Sequence, residues 1–150
     1  MAGKHKVLFL CTGNYYRSRF AEIVFNLRAA KVGLAWTADS RALAIERLGD
    51  SANIGPISPH TLEGLRERGL PAPEVIRSPR PAKDEDFQAS DLVIALKEAE
   101  HRPLLAARFP GWVERVEYWH VHDLDAAEPE EALAEIELAV DGLVARLAGK

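Results

Sequence analysis

The single cysteine of the chain, Cys11, stands six residues before Arg17 in the string Cys11-Thr12-Gly13-Asn14-Tyr15-Tyr16-Arg17-Ser18. A thiol and a guanidinium at this separation, on a loop between an apolar run and a helical pattern, suit chemistry on a tetrahedral anion. If the loop curls, the backbone N–H groups of Thr12 to Arg17 point inward, and a helix N-terminus behind them adds the positive end of its dipole. Such a nest binds a phosphate dianion. The same donors favour thiolate over thiol and so make Cys11 a nucleophile. The planar fork of Arg17 can hold two equatorial phosphoryl oxygens, where a lysine would offer only a point charge. Gly13 is expected to supply a backbone angle closed to other residues, Asn14 to pin the loop by bonding its own main chain, and Ser18 to donate its hydroxyl to the sulfur.

The spacing alone is a weak signal, because a buried and inert cysteine is the common alternative. The surroundings strengthen it. Val7-Leu8-Phe9-Leu10 reads as a strand running into the loop, and Ser18 to Ala30 reads as an amphipathic helix with Phe20, Ile23, Val24 and Leu27 on one side.

Further strands are expected at Leu34 to Asp39, Leu92 to Leu96 and Val113 to Trp119, with the first at Lys6 to Leu10. Helical patterns separate them, so the expected architecture is α/β: a three-layer sandwich around a central four-stranded parallel sheet, with the phosphate-binding loop after the first strand. One helix is marked by Ser58 as N-cap, Pro59 at the first position, Leu62 and Leu65 on the core face and Gly69 as the stop. The last starts near Pro129 and carries Leu133, Ile136, Val140, Leu143, Val144 and Leu147 at helical spacing. Pro71 to Pro81 reads as a loop crossing the surface. In such sheets ligands sit beyond the carboxyl ends of the strands, where Cys11, Ser40, Leu96 and the loop after Trp119 would gather.

The stretch VLFLCTGNYYRSRFAE resembles the opening of the low-molecular-weight protein tyrosine phosphatases, in which a first strand runs straight into a Cys-to-Arg-Ser phosphate loop. Asp39-Ser40 is similar to that family's Asp-Ser pair. Asp84 to Leu96 resembles the segment entering its third strand, and Val116 to Asp125 the strand and loop that deliver its general acid. The resemblance implies that Thr12, Gly13, Asn14, Tyr15, Tyr16, Arg17 and Ser18 bind phosphate, that Cys11 attacks phosphorus, that Ser40 supports the loop, and that no cofactor or metal is used. It also implies that Asp123 protonates the leaving group and then activates water.

Three departures from the family pattern stand out. The acid is usually followed by proline and an aromatic residue, but here the run is His122-Asp123-Leu124-Asp125, so Asp125 can share or replace the role of Asp123. Aspartates between a strand and a helix are also common as caps and turn residues. Phosphotyrosine-specific members usually carry an aliphatic residue and a second cysteine where Tyr15 and Tyr16 stand, and aromatic walls near Ala52 and Asp125. The phosphoarginine-specific branch has a threonine at the Tyr15 position. Tyr15 therefore either stacks on an aryl ring, narrows the entrance, or belongs to the core, and Tyr16 has the same core alternative.

Three other functions compete. Thioredoxin-coupled arsenate reductases resemble the fold and loop but relay a disulfide through further cysteines, so that reading requires an external thiol. A metal could be sought among His120, His122, Asp123 and Asp125, yet no remote ligand cluster accompanies them. His5, His60 and His101 read as solvated or structural. A phosphate-binding module that keeps the cradle without the acid is the third, and Asp123 speaks against it.

Composition narrows the setting. With 150 residues, 47% hydrophobic, one compact domain over 1–150 is expected. A formal net charge of −4 disfavours a nucleic-acid partner. The four apolar residues before Cys11 are too few for a signal peptide or membrane span. A lone cysteine permits no internal disulfide, which points to the cytoplasm, where a thiolate stays reduced. The expected partners are a phosphotyrosine-bearing protein or a small phosphate ester, with inorganic phosphate as product.

Overall fold

In the computed structural model, residues 5–48, 56–121 and 129–149 are described. Four strands, β1 (His5–Cys11), β2 (Trp36–Ala42), β3 (Leu92–Ala95) and β4 (Glu117–Tyr118), form one sheet in the order β2-β1-β3-β4. All three pairings are parallel. Around the sheet lie helices α1 (Arg17–Lys31), α2 (Pro59–Glu67), α3 (Asp84–Gln88), α4 (Glu98–Arg108) and α5 (Pro129–Ala148).

The central strand explains the layering. Its side chains alternate, and both sets are buried, as expected of a parallel strand covered on two faces. Val7 and Phe9 join Phe20, Val24, Leu65, Ile136 and Val140 in a core built on α1, α2 and α5. Leu8 and Leu10 join Phe87, Leu104 and Leu105 from α3 and α4. The expected three-layer α/β architecture is the one found.

α1 and α2 close in the same way. Gly33 (φ +69) and Gly69 (φ +67) take the left-handed conformation just past each helix. The following amides then turn back, Leu34 N onto Ala29 O and Leu70 N onto Leu65 O, both at 2.9 Å. At the other end of α2, Ser58 caps as expected, its hydroxyl accepting from His60 N, with Pro59 in the first turn. Gly64 marks a close approach, since a Cβ there would collide with Leu133 Cδ1 and lie 3.3 Å from Phe20 Cε1.

β1 and β3 lie within a residue of their expected bounds, while β2 and β4 differ by more. β2 begins two residues later than Leu34 and runs three beyond Asp39. Leu34 and Ala35 are consumed by the helix exit and turn, while pairing with β1 continues to the Cys11–Ala42 register position. β4 is far shorter than Val113 to Trp119. Pro110–Trp112 forms a 3-10 turn instead, followed by Val113 N onto Pro110 O and Arg115 N onto Trp112 O. Trp112 then packs its ring on Phe87, 5.2 Å between centroids, so this apolar segment contributes to the core as a turn. β3 ends at Ala95, but Leu96 N still reaches Leu10 O.

Candidate active site

The strand order reverses at β1: the chain passes to β2 on one side and later to β3 on the other. Crevices at such switch points open beyond the carboxyl ends of the strands. Cys11 is the last residue of β1 and Arg17 the first of α1, so the five residues between them form the loop joining sheet to helix. No acidic residue lies in the first turn of α1, which leaves the positive end of its dipole uncompensated there.

At the sulfur, Ser18 Oγ lies 2.9 Å from Cys11 Sγ, and Asn14 N donates to the same sulfur at 3.3 Å. The direction of the serine hydrogen bond follows from the groups behind it. Asn14 Oδ1 accepts from Arg77 NH1 (2.9 Å) and from Arg80 N (3.1 Å), so the other end of the amide must be its NH2 group. That group donates to Ser18 Oγ and Ser40 Oγ, each at 2.9 Å. Ser18 thus accepts from Asn14 and is left to donate to Sγ. Ser40, which also accepts from Arg77 NH2 at 2.9 Å, passes its own proton to Glu22 Oε1. The sulfur thus receives both a hydroxyl and an amide donor.

Asn14 does more than the sequence suggested, and differently. It takes the left-handed backbone angle itself (φ 54), a conformation asparagine tolerates better than most residues. Its side chain reaches across the molecule to Ser18, Ser40 and Arg77 rather than back to its own main chain.

Arg17 is buried, with 8% of its surface exposed, and its NH2 donates to Glu100 Oε2 at 2.8 Å. Thr12 Oγ1 donates to the same oxygen. Burial alone would raise the Glu100 carboxyl, but hydrogen bonds from His101, Arg17 and Thr12 and the charge of Arg17 outweigh it and hold the group well below the usual carboxylate range. His101 is fully buried rather than solvated. Its Nδ1 accepts from Lys97 N at 3.0 Å, which places the ring proton on Nε2, facing Glu100 at 3.3 Å. Burial pushes the His101 pKa down, in keeping with a neutral ring.

Tyr15 and Tyr16 contribute backbone to the loop, but their side chains belong to the core, 9% and 8% exposed. α2 docks on them through Ser58 N to Tyr15 O (2.9 Å) and Thr61 Oγ1 to Tyr16 O (3.1 Å). The Tyr16 ring meets His60 edge-on, and burial pushes its hydroxyl up to about 12. Of the alternatives for the two side chains, the core placement is the one found.

Sequence reasoning missed Arg19, Glu22, Arg77 and Glu100. Glu22 carried a readable signal, being an acid one turn after Ser18 on a helix whose first turns are buried nearly all round. Burial raises its pKa. Arg77 and Glu100 carried none, since their contacts to the loop span 63 and 83 positions. The Pro71 to Pro81 stretch is a loop, as read, but it delivers Arg77 to Asn14, Ser40 and Glu22.

Asp123 and Asp125, the expected proton donors, lie outside the described residues, as do His122 and Ala52. His120, the remaining member of the metal alternative, sits 3.9 Å from Glu98. Among the described residues, no cluster of three or more His, Cys, Asp or Glu side chains could hold a metal ion. No helix among them is long and apolar enough to cross a membrane.

The chain matches the family model described as low molecular weight phosphotyrosine protein phosphatase over residues 6–150. It is 30% identical over 110 residues to a protein-arginine-phosphatase of Bacillus subtilis (strain 168), a match covering 73% of this chain and 67% of that one. Among solved structures, YfkJ from Bacillus subtilis is 26% identical at TM-score 0.77, with 99% of this chain and 97% of that one covered. The low molecular weight protein tyrosine phosphatase from T. tengcongensis shares the fold at TM-score 0.75 and 24% identity, over 95% and 99% of the two chains. With the cysteine-to-arginine loop at the switch point and the family match over nearly its whole length, the chain belongs to the low molecular weight phosphotyrosine protein phosphatase family and is a cysteine-based phosphatase.

Proposed function

We propose that the protein hydrolyses phosphotyrosine on a protein substrate in two steps through phosphocysteine. The observation that carries the proposal is the sulfur of Cys11 held between Ser18 Oγ and Asn14 N at the end of β1, with Arg17 opening the helix behind it.

In the first step the Cys11 thiolate attacks phosphorus. An S–P bond forms as the P–O bond to the leaving group breaks, and the Asp123 carboxyl gives its proton to the departing oxygen. Arg17 and the amides of Thr12 to Ser18 stabilise the equatorial oxygens of the trigonal-bipyramidal transition state. In the second step the Asp123 carboxylate takes a proton from water, the water oxygen attacks phosphorus, and the S–P bond breaks. Inorganic phosphate and the thiolate are released. Ser18 holds the sulfur as thiolate at both ends of the cycle, and Ser40 braces Asn14 behind it. Neither step requires a metal or cofactor. The reaction is assigned to the cytoplasm because the mechanism depends on a reduced thiol.

A second substrate, phosphoarginine, is favoured by two observations. One is the likeness to the Bacillus protein-arginine-phosphatase. The other is the Glu100 carboxylate beside Thr12 and Arg17, an anion that would attract a guanidinium next to the phosphorus and offers nothing to an apolar ring.

A panel of phosphotyrosine and phosphoarginine peptides and small phosphate esters, assayed with EDTA present, tests the proposal. Phosphotyrosine should give the highest kcat/KM, unaffected by the chelator. A preference for phosphoarginine of tenfold or more would transfer the assignment to the second reading. Loss of turnover in EDTA would contradict both.

A further inference from the structure

Arg19 is the most deeply buried guanidinium around the loop, 3% exposed, and all its hydrogen bonds go to backbone carbonyls. NH1 donates to Asn14 O (3.3 Å) and Pro56 O (3.0 Å), and NH2 to Arg77 O (2.6 Å). Three other arginines whose side chains pack around the loop have a carboxylate: Arg17 has Glu100 at 2.8 Å, Arg41 has Asp39 at 2.7 Å, and Arg77 has Glu22 at 3.0 Å, while the exposed Arg80 meets the loop through its backbone N–H. Arg19 has none in contact among the described residues.

A buried cation without a paired anion is unfavourable, and such groups are retained where an anion completes them. Glu22 and Asp39 attract the Arg19 charge from beyond contact, as does Cys11, and the anions that could complete it at the loop are the ones the site exists to hold. Asn14 connects the two: its N–H faces Cys11 Sγ at 3.3 Å and its carbonyl is held by Arg19. We infer that Arg19 is a positioning residue whose buried charge, with no carboxylate in contact, stabilises the Cys11 thiolate and the bound phosphoryl group from behind the loop, without touching either.

This inference rests on the proposed nucleophilic role of Cys11, and one set of measurements separates the two. Because Cys11 is the only cysteine, alkylation by iodoacetamide as a function of pH reads its thiolate alone. The unmodified protein, Arg19→Gln and Arg19→Lys are compared after thermal melts establish that they fold. Glutamine keeps donors for the carbonyls and removes the charge; lysine keeps the charge and loses the fork. Arg17, Arg77, Glu22, Asp39 and Glu100, the charged groups sharing the cluster, stay the same in all three.

The midpoint of alkylation should rise by about one pH unit in Arg19→Gln and stay within about 0.3 unit of the unmodified protein in Arg19→Lys. Inhibition by inorganic phosphate should weaken about tenfold in the glutamine variant alone. Equal shifts in both variants would show a merely structural role and overturn the inference, as would no shift in either. If the unmodified Cys11 itself reacts only in the range of an ordinary exposed thiol, the nucleophilic reading fails first and this one with it.

Discussion

Cys11→Ser is expected to abolish turnover while leaving inorganic phosphate binding largely intact. A serine hydroxyl in this setting remains protonated, because its intrinsic acidity is far below that of a thiol, and no general base touches position 11 among the described residues. Ser18 Oγ is committed as a donor toward position 11, and Asn14 N points the same way, so the surroundings offer protons and accept none. The anion cradle, by contrast, consists of loop amides and Arg17, which the substitution does not alter. Activity below detection with phosphate affinity within about threefold of the unmodified protein is the expected result, checked by steady-state kinetics and by isothermal titration with phosphate. Residual activity within tenfold of the unmodified protein would remove Cys11 from the nucleophile's role.

Asp123→Asn should slow phosphotyrosine or an alkyl phosphate much more than p-nitrophenyl phosphate. General acid catalysis contributes typically about 10² to 10⁴ in rate, and a leaving group that departs easily as an anion needs little of it. Asp125→Asn should change all three substrates alike, through loop geometry or binding. The comparison is made by kcat/KM across leaving groups at a fixed pH. A weak, substrate-independent effect at Asp123 beside a strong, leaving-group-dependent one at Asp125 would move the proton donor two residues along the chain.

The sheet and the loop were legible because both are written in local sequence. Val7 to Leu10 forms a continuous apolar run, as a strand buried on both faces must, and the helix beginning with Arg17 shows its apolar period at once. Ser58, Pro59 and Gly69 mark the ends of α2 through chemistry that acts within a few residues. The strand expected at Val113 to Trp119 is confined to Glu117–Tyr118 for the opposite reason. Its apolar residues are those a strand would use, but Pro110 and Gly111 begin a 3-10 turn and Trp112 finds Phe87 from outside the sheet.

In the site, the groups that touch the sulfur were readable and those that orient them were not. Ser18 follows Arg17 in the motif, whereas Arg77, which fixes the Asn14 amide and so the direction of the Ser18 hydrogen bond, arrives from a proline-rich loop with no periodicity. Glu100 is one of two acids in the first turn of a helix, where acids are commonplace, yet it takes hydrogen bonds from Thr12 and Arg17. Nothing local in the sequence sets Arg19 apart from other arginines. Its burial becomes intelligible only once three chain segments bring their carbonyls to it.

The central claim is a covalent phosphoryl group on the Cys11 sulfur. Rapid acid quench of the protein during turnover of p-nitrophenyl phosphate, followed by peptide mass spectrometry under conditions that preserve the S–P bond, tests it directly. One phosphoryl group on the peptide containing Cys11, formed with the burst of p-nitrophenol and lost as phosphate appears, is the predicted result. Full activity with no burst and no phosphorylated Cys11 peptide, or the phosphoryl group on another residue, would contradict the account.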